Sequence, residues 1–320
     1  MLKLIPAVVM SCVALASGAG AVTLDPQAIL QNATTIVLGD MVTSGTSHLE
    51  GPGYVGGNLT SATFDANTDG MAELNLGTVS GGLIVGGNLT ANLNSANTGT
   101  VQVGGSYSGH AGTETVVSGA DVPVQQMTSL FQGLSSNLAG LTSTDGIGLS
   151  SDMNNPTFFA GSGGLDGIAI FHLALADAVA LFGNQNANFN FNMGTASALI
   201  INVAGDLSRV RPKLNSNQPS VLFNFYETTG TLDFGGGPFN ASVLAPFAHV
   251  ISPSGGMNGT LVAGSLNLGG EIRPYGNVSG YSGGLPDSAE VSLPAVPLPA
   301  GVWMMVAAFG AFAALRRRVA

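Results

Sequence analysis

The sequence predicts a mainly β protein: a β-helix or β-solenoid-like stack with one amphipathic α-helix packed on it. Three observations predict it. The segment Tyr54-Val55-Gly56-Gly57-Asn58-Leu59-Thr60 returns thirty residues later as Ile84-Val85-Gly86-Gly87-Asn88-Leu89-Thr90. Only 8% of the 320 residues are charged, while 47 are glycine, a composition suited to many short strands joined by tight turns. One segment alone has strong helical spacing of its apolar residues.

The repeat continues as Val101-Gln102-Val103-Gly104-Gly105-Ser106-Tyr107 and, far downstream, as Leu261-Val262-Ala263-Gly264-Ser265-Leu266. Each copy sets an apolar strand before a glycine corner and an alternating strand after it. Glycine at such a corner tolerates positive φ and lets neighbouring backbones approach. Strand–turn units at this period indicate stacked coils. A β-sandwich also produces short strands with turn signals, but the near-identical return favours the solenoid.

In chain order, residues 1–21 read as a signal peptide and N-terminal signal helix. Lys3 supplies the positive region, Leu4–Ala16 the apolar stretch and Ala19-Gly20-Ala21 the cleavage site. The single cysteine, Cys12, lies in this segment, so cleavage after Ala21 leaves no thiol for disulfide, metal or nucleophile. The body, 22–284, follows. Up to Ala295 the mature chain has four basic residues, Arg209, Arg211, Lys213 and Arg273, against all 18 acidic ones, a formal balance of about −14. Such a surface repels nucleic acid and anionic lipid, so no nucleic-acid partner is expected.

Within the body, Val124, Met127, Leu130, Phe131, Leu134, Leu138 and Leu141 predict a helix over Asp121–Leu141, capped by Asp121, with Pro123 in its first turn. The segment Leu173–Phe182 fits either a short helix or a buried strand. Residues 285–300 form an extended linker because Pro297 and Pro299 disfavour helix. The apolar run Gly301–Leu315 is a transmembrane segment of about 22 Å, shorter than the roughly 30 Å hydrocarbon core but able to insert with local thinning. Arg316, Arg317 and Arg318 stop it on the cytoplasmic side, and 316–320 is a basic cytoplasmic tail.

The order of these last parts resembles the VPLPA-type variant of PEP-CTERM sorting tails, with Val296, Pro297, Leu298, Pro299 and Ala300 as the motif. The resemblance implies an exosortase-type sorting enzyme as partner and an inner-membrane precursor that is later cleaved. The body resembles the choice-of-anchor A family of bacterial surface proteins. Val37-Leu38-Gly39-Asp40, His48-Leu49-Glu50-Gly51 and Val55-Gly56-Gly57-Asn58-Leu59 carry the likeness, as do Leu199–Gly205, Leu222-Phe223-Asn224-Phe225 and Val243–Ala248, where Phe247 replaces the usual asparagine. The resemblance implies an adhesive domain and brings no catalytic residues.

The residues themselves offer little chemistry. Asp65-Ala66-Asn67-Thr68-Asp69-Gly70 copies the first half of a calcium loop, making Asp65, Asn67 and Asp69 a weak calcium set. Leu76 occupies the position that needs a bidentate acid, so no metal and no cofactor are assigned. His48, His110, His172 and His249 lack zinc spacing, and no G-x-S-x-G elbow occurs. An ice-binding face would need a regular T-x-T ladder, and the chain offers pairs such as Thr34-Thr35 and Thr228-Thr229. The expectation is an exported, membrane-sorted cell-surface or extracellular-matrix protein, structural or adhesive and not an enzyme. Its polysaccharide or surface-protein ligand is unknown. The alternative is a secreted glycan-binding or polysaccharide-cleaving β-helix protein.

Overall fold

The computed structural model describes residues 24–289 apart from 45–46, 95–97, 165, 236 and 277–279. The signal segment, the sorting motif Val296–Ala300, the span 301–315 and Arg316–Arg318 lie outside the described residues. Among the described residues, no helix is long and apolar enough to cross a membrane.

A 15-stranded sheet dominates. Its strands in chain order are β1 (Thr35–Val37), β2 (Met41–Thr43), β3 (Gly53–Val55), β4 (Leu59–Thr63), β5 (Leu83–Val85), β6 (Leu89–Asn92), β7 (Thr100–Val103), β8 (Tyr107–Ser108) and β9 (Thr115–Ser118). They continue as β10 (Ile168–Leu173), β11 (Ala198–Val203), β12 (Leu214–Asn224), β13 (Thr231–Asp233), β14 (Phe239–Ile251) and β15 (Leu261–Leu268). Every pairing among them is parallel, as coil stacked on coil requires.

The stacking order departs from chain order. The chain begins in the middle with β1 and β2, winds outward through β3–β9, and returns from the far end through β10–β14. Its last strand, β15, then pairs with both β1 and β2, so the two windings meet at a seam. The fourth sequence echo, Leu261–Leu266, therefore lies directly against the first coil, with Thr35 opposite Leu261 and Met41 opposite Leu266. Leu49 bridges Ile272 on the remaining side of the same coil. Arg273 closes the seam there with ion pairs to Glu50, at 3.1 Å, and to Glu271.

The repeated corners do stack. The N–H of Gly57 donates to Gly39 O, that of Gly87 to Gly57 O, and that of Gly105 to Gly87 O, at 2.8–2.9 Å. Neither Gly57 nor Gly87 has positive φ. Their constraint is closeness: a Cβ on Gly57 would meet Asp40 Oδ1 at 2.3 Å and Gly39 C at 2.7 Å, and one on Gly87 would meet the Gly57 carbonyl at 2.7 Å. Of the two reasons that favour glycine at a corner, close backbone approach is the one that operates here.

Three helices accompany the sheet among the described residues, where the sequence predicts one. The first, α1 (Pro26–Asn32), is capped by Asp25, whose Oδ1 accepts from Gln27 N at 2.9 Å. The second, α2 (Val124–Ala139), is the predicted amphipathic helix. Its cap position falls on Pro123 and carries no side-chain hydrogen bond, so Asp121 does not cap it. The third, α3 (Leu175–Gly183), resolves the ambiguous segment Leu173–Phe182: β10 ends at Leu173 and α3 begins two residues later.

Two apolar cores result. One fills the interior of the coils, where Val37, Val55, Val85 and Val103 stack in register. The other lies between the sheet and α2, where Ile36, Tyr54 and Ile84 meet Met127, Leu130, Phe131 and Leu134. Full burial of side chains this size contributes about 1.5–3 kcal/mol each, which explains why an isolated helix of this length becomes stable once docked.

Candidate adhesive face

Opposite the interior, β13, β14, β15, β2, β4, β6 and β8 form one side of the stack. Their inward column reads Leu232, Val250, Leu266, Met41, Leu59, Leu89 and Tyr107. Alternation along each strand sends the next residue outward. The register sets those in a second column: Asp233, Ile251, Asn267, Val42, Thr60, Thr90 and Ser108. Val42 is 51% exposed, and Thr60, Thr90 and Ser108 are exposed. Coils repeat at about 4.8 Å and outward residues along a strand at about 6.6 Å.

Beside this column runs a ladder of side chain to backbone bonds. Asp40 Oδ1 accepts from Asn58 N at 2.7 Å, Asn58 Oδ1 from Asn88 N at 2.9 Å, and Asn88 Oδ1 from Ser106 N at 2.9 Å. The ladder fixes the side chains as a regular row and leaves Asn58, Asn88 and Ser106 exposed. Beyond the exposed Asp40 carboxylate that starts the ladder, Asn58, Thr60, Asn88, Thr90, Ser106 and Ser108 are uncharged, although the body is strongly acidic. They offer hydroxyls and amides on a stiff lattice, a chemistry of many weak hydrogen bonds.

The threonine pairs that stand out in the sequence lie elsewhere, and of them Thr229 is exposed. Thr34, Thr35 and Thr228 are buried, and Thr35 points its hydroxyl into the coil interior without a partner. The signal for the true row was present in the repeat itself, since each V-G-G-N corner is followed by Leu-Thr, inward then outward.

On the opposite side, the half-buried His172 and the buried Asn202 and Asn224 form a polar column under α2. Asn224 Nδ2 donates to Asn202 Oδ1 at 2.8 Å and to Ser135 O at 2.9 Å, while Ser135 Oγ donates to Asn224 Oδ1 at 2.6 Å. Asn202 Nδ2 donates to Leu138 O at 2.7 Å, and His172 Nε2 lies 2.7 Å from Leu141 O. These bonds fix the position of α2 along the sheet. Buried amides without partners would cost about 1–3 kcal/mol each, so the column dictates one docking register.

Two of the three calcium candidates, Asp65 and Asn67, are turned to backbone partners, and Asp69 is exposed. Asp65 Oδ1 accepts from Asn94 N at 2.7 Å, and Asn67, in the left-handed region at φ 51°, bonds Met71 through both amide atoms. Among the described residues, the groups close enough to share an ion are His48, Glu50 and Glu271, and Arg273 sits among them. Burial raises the Glu50 pKa, Asp69 adds to the rise, and Arg273 opposes it. The four histidines lie in different environments: His48 beside Glu271, His172 under α2, His249 against Ser265 and His110 exposed. Arg209 and Lys213 are exposed on either side of buried Val210 and Pro212.

Residues 26–274, from the first residue of α1 to the residue after Arg273, match the model of the family described as "Putative Ice-binding-like adhesive domain". No curated protein and no solved structure matches the chain.

Proposed function

The chain belongs to the ice-binding-like adhesive domain family, and from that premise we propose an exported, membrane-sorted surface or matrix protein that attaches through its flat neutral face and catalyses no reaction. The observation that carries this reading is the outward row Thr60, Thr90 and Ser108 beside Asn58, Asn88 and Ser106. It is a fixed array of neutral hydrogen-bonding groups on an acidic body. Such an array holds a polysaccharide or a neighbouring protein by weak contacts that sum when many copies are displayed. In the same proposal, the tail 301–320 holds the precursor in the inner membrane, and an exosortase-type enzyme cleaves near Val296–Ala300.

The experiment compares cells expressing the full chain, Thr60→Arg with Thr90→Arg, or no protein. Attachment and aggregation should fall in the double variant to the level of the deletion. Wild-type attachment by the double variant would reject the face. Mass spectrometry of the surface and medium fractions tests sorting: recovery only of chains ending at Ala320 would refute cleavage. The polysaccharide-cleaving alternative requires turnover of a glycan that a single Asp or Glu substitution abolishes.

A further inference from the structure

A groove of about 540 Å³ opens where the seam passes under the edge of α2. Its floor is backbone at Gly39 and Gly264, one from each winding, and its wall on one side is Thr128 and Gln132 of α2. Facing them is the corner of β14, where Pro246, Phe247 and Ala248 are inserted between two runs of regular pairing with β15. The insertion leaves Phe247 half-buried at the rim, next to His249.

We infer that this groove is a subsite for a neutral sugar residue, one or two rings of a polysaccharide chain or its branch. This deepens the adhesive reading proposed above and rests on it. Four features point to that ligand class. Phe247 offers an apolar ring to the C–H face of a pyranose. The Gln132 amide is partly exposed at the groove wall and makes no side-chain hydrogen bond among the described residues, so it can present a donor or an acceptor to a ligand. His249 is held at Nδ1 by Ser265 Oγ at 2.8 Å, which leaves its Nε2 edge for a hydroxyl. No Asp, Glu, Lys or Arg lines the groove, so nothing there neutralises a carboxylate or phosphate, and the acidic body repels both. The size suits a small ligand. Because Gly39 and Gly264 come from opposite windings, the subsite exists only once the seam has closed.

The test uses the full chain purified in detergent and ligand-detected NMR with cellobiose, laminaribiose, maltose and N,N′-diacetylchitobiose, with digalacturonate as the acidic comparison. At least one neutral disaccharide should bind and digalacturonate should not. Phe247→Ala and Gln132→Ala should each weaken binding at least tenfold, whereas Val179→Thr, an exposed α3 position that lines neither the groove nor the flat face, should leave it unchanged. Gln132 lies on the helix surface, so its variant decides the matter should Phe247→Ala fail to fold. Absence of binding by all four neutral disaccharides, or wild-type binding by Gln132→Ala, overturns the subsite. Attachment by cells separates the two claims. Loss of attachment in the flat-face variant with no disaccharide bound by wild type sinks the groove alone. Undiminished attachment in that variant sinks the face.

Discussion

From β1 to β9 the coils are joined at glycine corners that touch backbone to backbone, and their interior is lined by Val55, Val85, Val103, Leu59 and Leu89. From β10 to β15 the interior is filled by rings. Phe158, Phe182, Phe189, Phe191, Phe225 and Phe239 surround Phe223 with centroids 5.4–6.5 Å away. The pairings of β14 with β12 and β15 also carry register shifts that the β1–β3 and β3–β5 pairings lack. One stack is thus held together in two ways. The first winding is specified by a local motif that leaves no spare volume at its corners. The second is specified by large side chains that fill its interior. The first should fail when volume is added at a corner, the second when volume is removed from the core.

The largest effect should come from Phe223→Ala, which empties the centre of the ring cluster and should cost about 3–5 kcal/mol in denaturant unfolding of the purified protein. A loss under about 1 kcal/mol would mean the second winding is not held by its rings. Gly87→Val should cost about 3 kcal/mol, because its Cβ would lie 2.7 Å from the immovable Gly57 carbonyl. An unchanged melting temperature would break the stacked-corner account of the first winding. Asn202→Ala should cost about 1 kcal/mol by removing the bonds to Leu138 O and from Asn224 Nδ2, both of which keep a second partner, at Leu141 N and Ser135 O. Hydrogen exchange should show the loss concentrated in the C-terminal half of α2.

Smaller effects belong to the seam between the windings. Arg273→Gln, at a half-exposed ion pair, should cost less than about 1 kcal/mol, with the difference shrinking in high salt. Folding raises the Glu50 pKa, so the protonated carboxyl is favoured in the native state. That contribution is complete below the ordinary carboxylate value of 4.5 and disappears as pH rises through the raised one. Glu50→Gln should therefore flatten this part of the stability–pH curve, and an unaltered curve would place the acid dependence elsewhere.

The same contrast explains what was legible in the sequence. Tyr54–Thr60 and Ile84–Thr90 announce the first winding because identical corners stack in identical ways. The α2 helix was legible from Met127 to Leu138, since one face meets one apolar strip. Its cap was misplaced because Thr78 Oγ1 bonds the Asp121 carbonyl and the chain enters the helix at Pro123 instead. The second winding carries no comparable repeat: ring packing among Phe158, Phe223 and Phe239 is a three-dimensional pattern with no fixed spacing. The seam was hidden as well. Leu261–Leu266 resembles the first corner, but nothing local says that the last coil lies on the first. The neutral face was present in the repeat as Leu-Thr, and the groove was not, because its walls come from α2, β14 and both sides of the seam.

The seam also imposes an order of events in time. Arg273 and Glu50 are 223 residues apart, and Thr260 Oγ1 donates to Leu30 O across 230. A chain emerging N-terminus first presents β1 and β2 with one edge open until β15 arrives. Closing so long a loop is entropically costly and puts the last contacts among the slowest. Meanwhile the open edge is a template for any strand that reaches it first. A nascent chain of this protein is thus poised to trade halves with a neighbour, and crowding during synthesis should favour interlocked pairs whose seams are closed in trans.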